Sequence, residues 1–150
     1  MIQRIQTVYL FFVAVFMLAA FFLPILEVVK PGGVSTIYNL FSLGAYSFLP
    51  AVVSPAISLL VGVMAIITIF LYKRRKLQIN FCIWMLVLML LLYAMVLYAY
   101  STLTSRMSDN ATFFPEIALL FPLLAIILDC MAIAGIRKDQ KTVKALDRLR

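Results

Sequence analysis

Phe70-Leu71-Tyr72-Lys73-Arg74-Arg75-Lys76-Leu77-Gln78-Ile79 is the stretch that decides the fold. Four consecutive basic residues interrupt a chain that is otherwise apolar on both sides. An apolar run of about 20 residues spans the roughly 30 Å hydrocarbon core of a bilayer as a helix. The flanks therefore read as two membrane helices, about 52–72 and about 79–100. Residues 73–78 form a tight basic turn between them, which makes the two helices antiparallel neighbours.

Working outward, two further apolar stretches have the same length, from about Thr7 to Leu26 and from about Phe113 to Ile136. In lipid, each backbone N–H and C=O needs a partner within its own segment, so all four must be helical. The first run is longer than the roughly 7–15 residues of a signal-peptide core, and no small-x-small site precedes Glu27, so it reads as a retained helix. The expected fold class is an all-α membrane protein, a four-transmembrane-helix bundle in which residues 1–150 form a single integral membrane domain.

Composition agrees. Hydrophobic residues make up 65% of the chain, against about 45–50% in soluble domains. Charged residues make up 13%, about half the usual share. A chain of 150 residues has too little interior to hide so much apolar surface from water. The net charge of +7 suits the anionic headgroups of membrane lipids rather than nucleic acid, because of where the charges lie.

All but two of the 13 Lys and Arg residues fall on one side of this topology. They are Arg4 at the start, Lys73, Arg74, Arg75 and Lys76 in the turn, and Arg137, Lys138, Lys141, Lys144, Arg148 and Arg150 in the tail. The other side has Lys30 and Arg106, each near an acid (Glu27, Asp109). The positive-inside rule then puts both termini in the cytoplasm. Tyr9, Tyr72 and Trp84 mark the inner interface, and Tyr98, Tyr100, Phe113 and Phe114 the outer one. On the outer side, Pro31-Gly32-Gly33 separates two β-branched runs, Leu26–Lys30 and Val34–Leu40, and predicts a small β-hairpin.

One ionisable residue lies deep in a span. Asp129 is eight residues before Arg137, so roughly 12 Å below the inner interface at ~1.5 Å per residue. Such a group is costly by at least ~2.5 kcal/mol and marks a functional site by default. Ala118, Pro122, Ala125, Asp129, Ala132 and Ile136 recur at helical spacing, and the small residues Ala125 and Ala132 permit close packing. Asp129 should then face the bundle, either as a proton or cation site or as a structural partner of Gln3, Arg4 or Gln6. Glu116, after Thr112 and Pro115, suits the first turn of the fourth helix. Pro122 removes the hydrogen bond to the Ala118 carbonyl and should kink that helix.

Ser54, Ser58 and Gly62 form a small-residue packing face on the second helix, directed either at another helix of the chain or at a partner protein. Met85, Met89 and Met95 read as adaptable packing. In the tail, Val143, Leu146 and Leu149 are surrounded by Lys141, Lys144, Arg148 and Arg150. This basic amphipathic segment, within 137–150, should lie on anionic headgroups or dock on a cytoplasmic partner. Histidine is absent, and Cys82 and Cys130 are isolated within apolar segments, so the expectation is no metal site, no cofactor and no catalytic residue. No Walker loop, GxSxG, HExxH or paired-carboxylate pattern occurs.

Three segments resemble a known family: Met1-Ile2-Gln3-Arg4-Ile5-Gln6-Thr7, the Phe70–Ile79 turn quoted above, and Ile136-Arg137-Lys138-Asp139 through Leu146-Asp147-Arg148-Leu149-Arg150. The family is an uncharacterised one of small four-helix inner-membrane proteins of the Bacteroidota, a domain of unknown function. The resemblance covers the whole length and implies a bundle in the inner membrane with no assigned activity, cofactor or catalytic residue. Two functional expectations follow. One is a non-catalytic accessory or structural subunit of an inner-membrane protein complex, with other membrane subunits as partners. The alternative is a small transporter or channel that uses the intramembrane carboxylate of Asp129.

Overall fold

The computed structural model describes residues 2–29, 33–42, 48–106 and 112–148. Its helices are α1 (Ile2–Phe22), α2 (Phe48–Phe70), α3 (Arg75–Arg106) and α4 (Leu120–Arg148), and its strands β1 (Leu26–Val29), β2 (Ser35–Tyr38) and β3 (Thr112–Pro115). All four helices are long and apolar enough to cross a membrane. They are apolar nearly all round: Phe11, Leu60, Trp84, Leu90 and Ile127 point outward while Leu10, Val61, Met85, Met89 and Ala125 point in. Outward apolar surface on every helix is what a water-soluble monomer avoids.

The helices form a closed ring in which each packs on its chain neighbours and α4 returns to α1. The start of α1, the α2–α3 turn and the far part of α4 share one end, here the turn end. The turn is shorter than the sequence suggests, a 3-10 turn over Leu71–Lys73 followed by Arg74. Arg75 and Lys76 already belong to α3, and the Arg74 N–H closes the turn on the Leu71 carbonyl at 2.9 Å.

At the opposite end the strands form one antiparallel sheet in the order β2-β1-β3. The expected hairpin is present, with Leu26 opposite Tyr38 and Val29 opposite Ser35. Gly33 adopts φ +79° beside it, a conformation that glycine reaches without a Cβ clash; Lys30, Pro31 and Gly32 lie outside the described residues. The third strand was not expected. Thr112–Pro115 pairs with β1 on its other edge, Leu26 opposite Pro115 and Val29 opposite Thr112.

That strand corrects the fourth span. Phe113 opens no helix: Thr112, Phe113 and Phe114 are good strand formers, and Glu116 follows in extended backbone, φ −86° and ψ 160°. The Glu116 N–H bonds the Ile25 carbonyl at 3.0 Å, so Glu116 links sheet to bundle instead of occupying a first helical turn. A 3-10 turn over Ile117–Leu119 then leads into α4 at Leu120. Pro122 is thus in the first turn of α4, where an N–H has no helical partner, and the expected mid-helix kink has no cause there. At its other end α4 continues unbroken past Ile136 to Arg148, so the tail is the same helix and not a separate segment.

Candidate functional site

The α4 stripe predicted from spacing lies inward along its whole length. Ala118, Pro122, Ala125, Asp129, Ala132 and Ile136 are all buried. Asp129 is 0% exposed, and neither carboxyl oxygen has a hydrogen-bond partner among the described residues. Its polar neighbour is Cys82 of α3, also fully buried. The thiol is close enough to interact electrostatically with the carboxyl but makes no well-formed hydrogen bond to it.

Gln6 is not the partner of Asp129. Its side-chain N–H donates to Asp139 Oδ2 at 2.7 Å, nearly three turns further along α4 at ~3.6 residues per turn, and the side chains of Gln3 and Arg4 lie outside the described residues. Arg75 Nη1 donates to the Asp139 backbone carbonyl at 3.2 Å. Asp139 therefore joins α1, α3 and α4 at the turn end. Gln78 and Thr68 are buried at that end too, Thr68 donating to the Met64 carbonyl at 2.6 Å. Sequence reading missed this knot. The available signal was Gly135, four residues before Asp139 and so on the same face. A Cβ on Gly135 would lie 3.1 Å from Gln6 Cγ, so the glycine makes room for the side chain that reaches Asp139.

The small-residue face of α2 packs inside the chain, on α1. Ser54, Ser58 and Gly62 are all buried. Ser58 Oγ donates to the Met17 carbonyl at 2.7 Å, and a Cβ on Gly62 would lie 3.2 Å from the Leu18 side chain. The Ser54 hydroxyl is buried without a partner among the described residues. Met85 and Met89 are core residues, and Cys130 is exposed.

Of the basic set, Arg74, Lys76, Arg137, Lys138 and Lys141 are exposed and Arg75 is half-buried. The side chains of Lys73, Lys144 and Arg148, like that of Arg4, and the whole of Arg150 lie outside the described residues. Among the described residues no three His, Cys, Asp or Glu side chains gather as a metal site. The arrangement offers one sealed carboxyl within the bundle and one basic helical projection beyond it.

Against known proteins, the family model described as "Domain of unknown function (DUF4293)" matches residues 2–149, and the chain belongs to that family. No curated protein and no solved structure matches the chain.

Proposed function

We propose that this DUF4293 chain is an integral protein of the inner (cytoplasmic) membrane of a bacterium of the Bacteroidota, with both termini cytoplasmic, and that it serves as a non-catalytic accessory or structural subunit of a membrane protein complex. The observation that carries this reading is the unbroken course of α4 from the bundle to Arg148. Beyond Arg137 the helix rises a further ~17 Å at ~1.5 Å per residue. The polar headgroup layer on one side of a bilayer is only roughly 5–8 Å deep. A straight basic helix therefore passes through the headgroups, near Lys138 and Lys141, and stands clear of them at its end. A segment made to lie on the lipid surface needs a break near the interface, whereas α4 runs on as helix through that point. A helix tied to α1 and α3 through Asp139 is suited to hold a second protein at a set height.

Placement of charge supports the orientation, since the turn end carries nearly all the basic residues and the sheet end only Lys30 and Arg106. The test is extraction of the tagged chain from native membranes in mild detergent, beside a variant that stops after Gln140. The full chain is expected to bring down one stoichiometric membrane partner and the shortened chain to lose it. A full chain recovered alone would sink the proposal.

A second reading, a small transporter or channel, is favoured by one observation: both oxygens of Asp129 are buried without a hydrogen-bond partner among the described residues. Under it, an Asp129→Asn variant folds normally and loses proton- or cation-coupled flux in vesicles. Unchanged flux removes it.

A further inference from the structure

The geometry points to a binding site for a single hydrocarbon chain beneath the sheet, filled by an acyl chain of a phospholipid from the adjacent leaflet. The inference rests on the membrane reading above. A pocket of about 280 Å³ lies between α3, the sheet and the turn that precedes α4. One wall is Tyr93, Val96, Leu97 and Tyr100, spaced i, i+3, i+4, i+7 and so in line along one face of α3. Phe113, packed on Tyr100, and Leu119, bonded through its carbonyl to Tyr93, complete the lining with Ile25, Leu26 and Pro115.

Shape and chemistry select the occupant. The wall from Tyr93 to Tyr100 is ~10 Å long at ~1.5 Å per residue. The pocket beside this wall holds about 280 Å³. A partner helix, ~10–12 Å across, does not fit. Small-molecule pockets run to ~300–1,000 Å³, and a site of about 280 Å³ suits a slender occupant. Water is excluded because an apolar site gives it too few partners. Of the two hydroxyls in the wall, that of Tyr93 already donates to the Leu119 carbonyl at 2.7 Å. Tyr100, which packs edge-to-face on Phe113 with ring centroids 5.5 Å apart, is exposed at the mouth. A phenol there can meet a headgroup or ester while its ring guides the chain inward. A separate void of about 10 Å³ beside Leu92 and Pro122 shares Ile25, Tyr93, Val96 and Leu119 with the pocket and is too small to take more of the chain. A chain lying along α3 keeps the direction that lipid chains and spanning helices share.

The experiment uses the full chain in vesicles of phosphatidylethanolamine and phosphatidylglycerol, the latter with a photoreactive diazirine on one acyl chain. Crosslinked peptides are read by mass spectrometry. The outward face of α2, with Leu59, Leu60 and Val63 exposed, reports contact with bulk lipid. Labelling of the Tyr93–Tyr100 segment is expected to exceed that of the α2 face several-fold. It should fall to the α2 level in Val96→Phe, which fills the pocket, and in Leu97→Trp, which blocks the mouth from an exposed position and leaves the core untouched. Equal labelling of the two helices in the parent chain, or undiminished labelling in Leu97→Trp, overturns the site. An α2 face that is itself unlabelled overturns the membrane reading instead, and the site with it.

Discussion

Gly62 and Ser58 lie one turn apart on α2 and hold α1 by different means. Gly62 works by absence, because its missing Cβ would meet the Leu18 side chain at 3.2 Å and the Ala14 carbonyl at 3.9 Å. Gly62→Val is expected to lower stability by about 1–3 kcal/mol through overpacking. Ser58 supplies a hydrogen bond to Met17, and interhelical bonds of this kind are worth about 0.6 kcal/mol, up to ~1.7. Ser58→Ala should therefore be the milder of the two in thermal unfolding in detergent. The reverse order would mean that the helices are held by the hydrogen bond and not by closeness. Asp129 is a different case. Neither oxygen has a hydrogen-bond partner among the described residues, and its polar neighbour there is the Cys82 thiol, so Asp129→Asn is expected to leave the thermal midpoint unchanged or raised. A fall of several degrees would show that the carboxylate has a structural partner. The α4 stripe around Asp129 was legible from spacing alone, because a helix repeats every 3.6 residues whatever surrounds it. Its neighbour Cys82 was not, since nothing in local sequence says which residue of another helix comes opposite.

At the level of whole elements, α4 carries both the sealed carboxyl and the projecting rod. Lys138→Pro removes the N–H that bonds the Ala134 carbonyl and clashes with that turn, an effect of about 3 kcal/mol within a helix. The rod should bend while the bundle, from Leu120 onward, stays assembled. The expected outcome is loss of the co-purifying partner, together with a lower thermal midpoint because the break lies beside the Asp139 contacts to α1 and α3. Retention of the partner would show that the straight course of α4 is irrelevant to docking. Asp139→Ala acts one step earlier, since it frees Gln6 from α4. Faster amide hydrogen exchange is expected in the first turns of α1, and unchanged exchange there would show that the Gln6 bond contributes nothing. The hairpin was readable because Pro31-Gly32-Gly33 is a local turn signal. The third strand was not, because Thr112–Pro115 is extended through its pairing with β1, some 85 residues earlier in the chain. The same pairing moved the start of α4 and relieved Pro122 of any kink.

For the molecule as a whole, the prediction concerns sidedness. Reporter fusions after Arg150 and after Thr7 should both read as cytoplasmic, and a cysteine at Ser35, exposed on β2, should react with an impermeant reagent from outside. A C-terminal reporter on the outer side would reverse the placement of the basic rod and of its partner. The number of long apolar helices, the basic turn that pairs α2 with α3, the first hairpin and the inward face of α4 could all be read along the chain. These follow from apolar run length, charge and helical period, which are properties of neighbouring residues. Only the tertiary structure decided that α4 packs on α1, that Gly135 admits Gln6 to Asp139, that Ser58 and Gly62 are used within the chain, and that a sheet of three strands roofs a narrow apolar pocket. Each of those depends on which segments distant in sequence come to lie side by side, and that is set by the closing of the whole bundle.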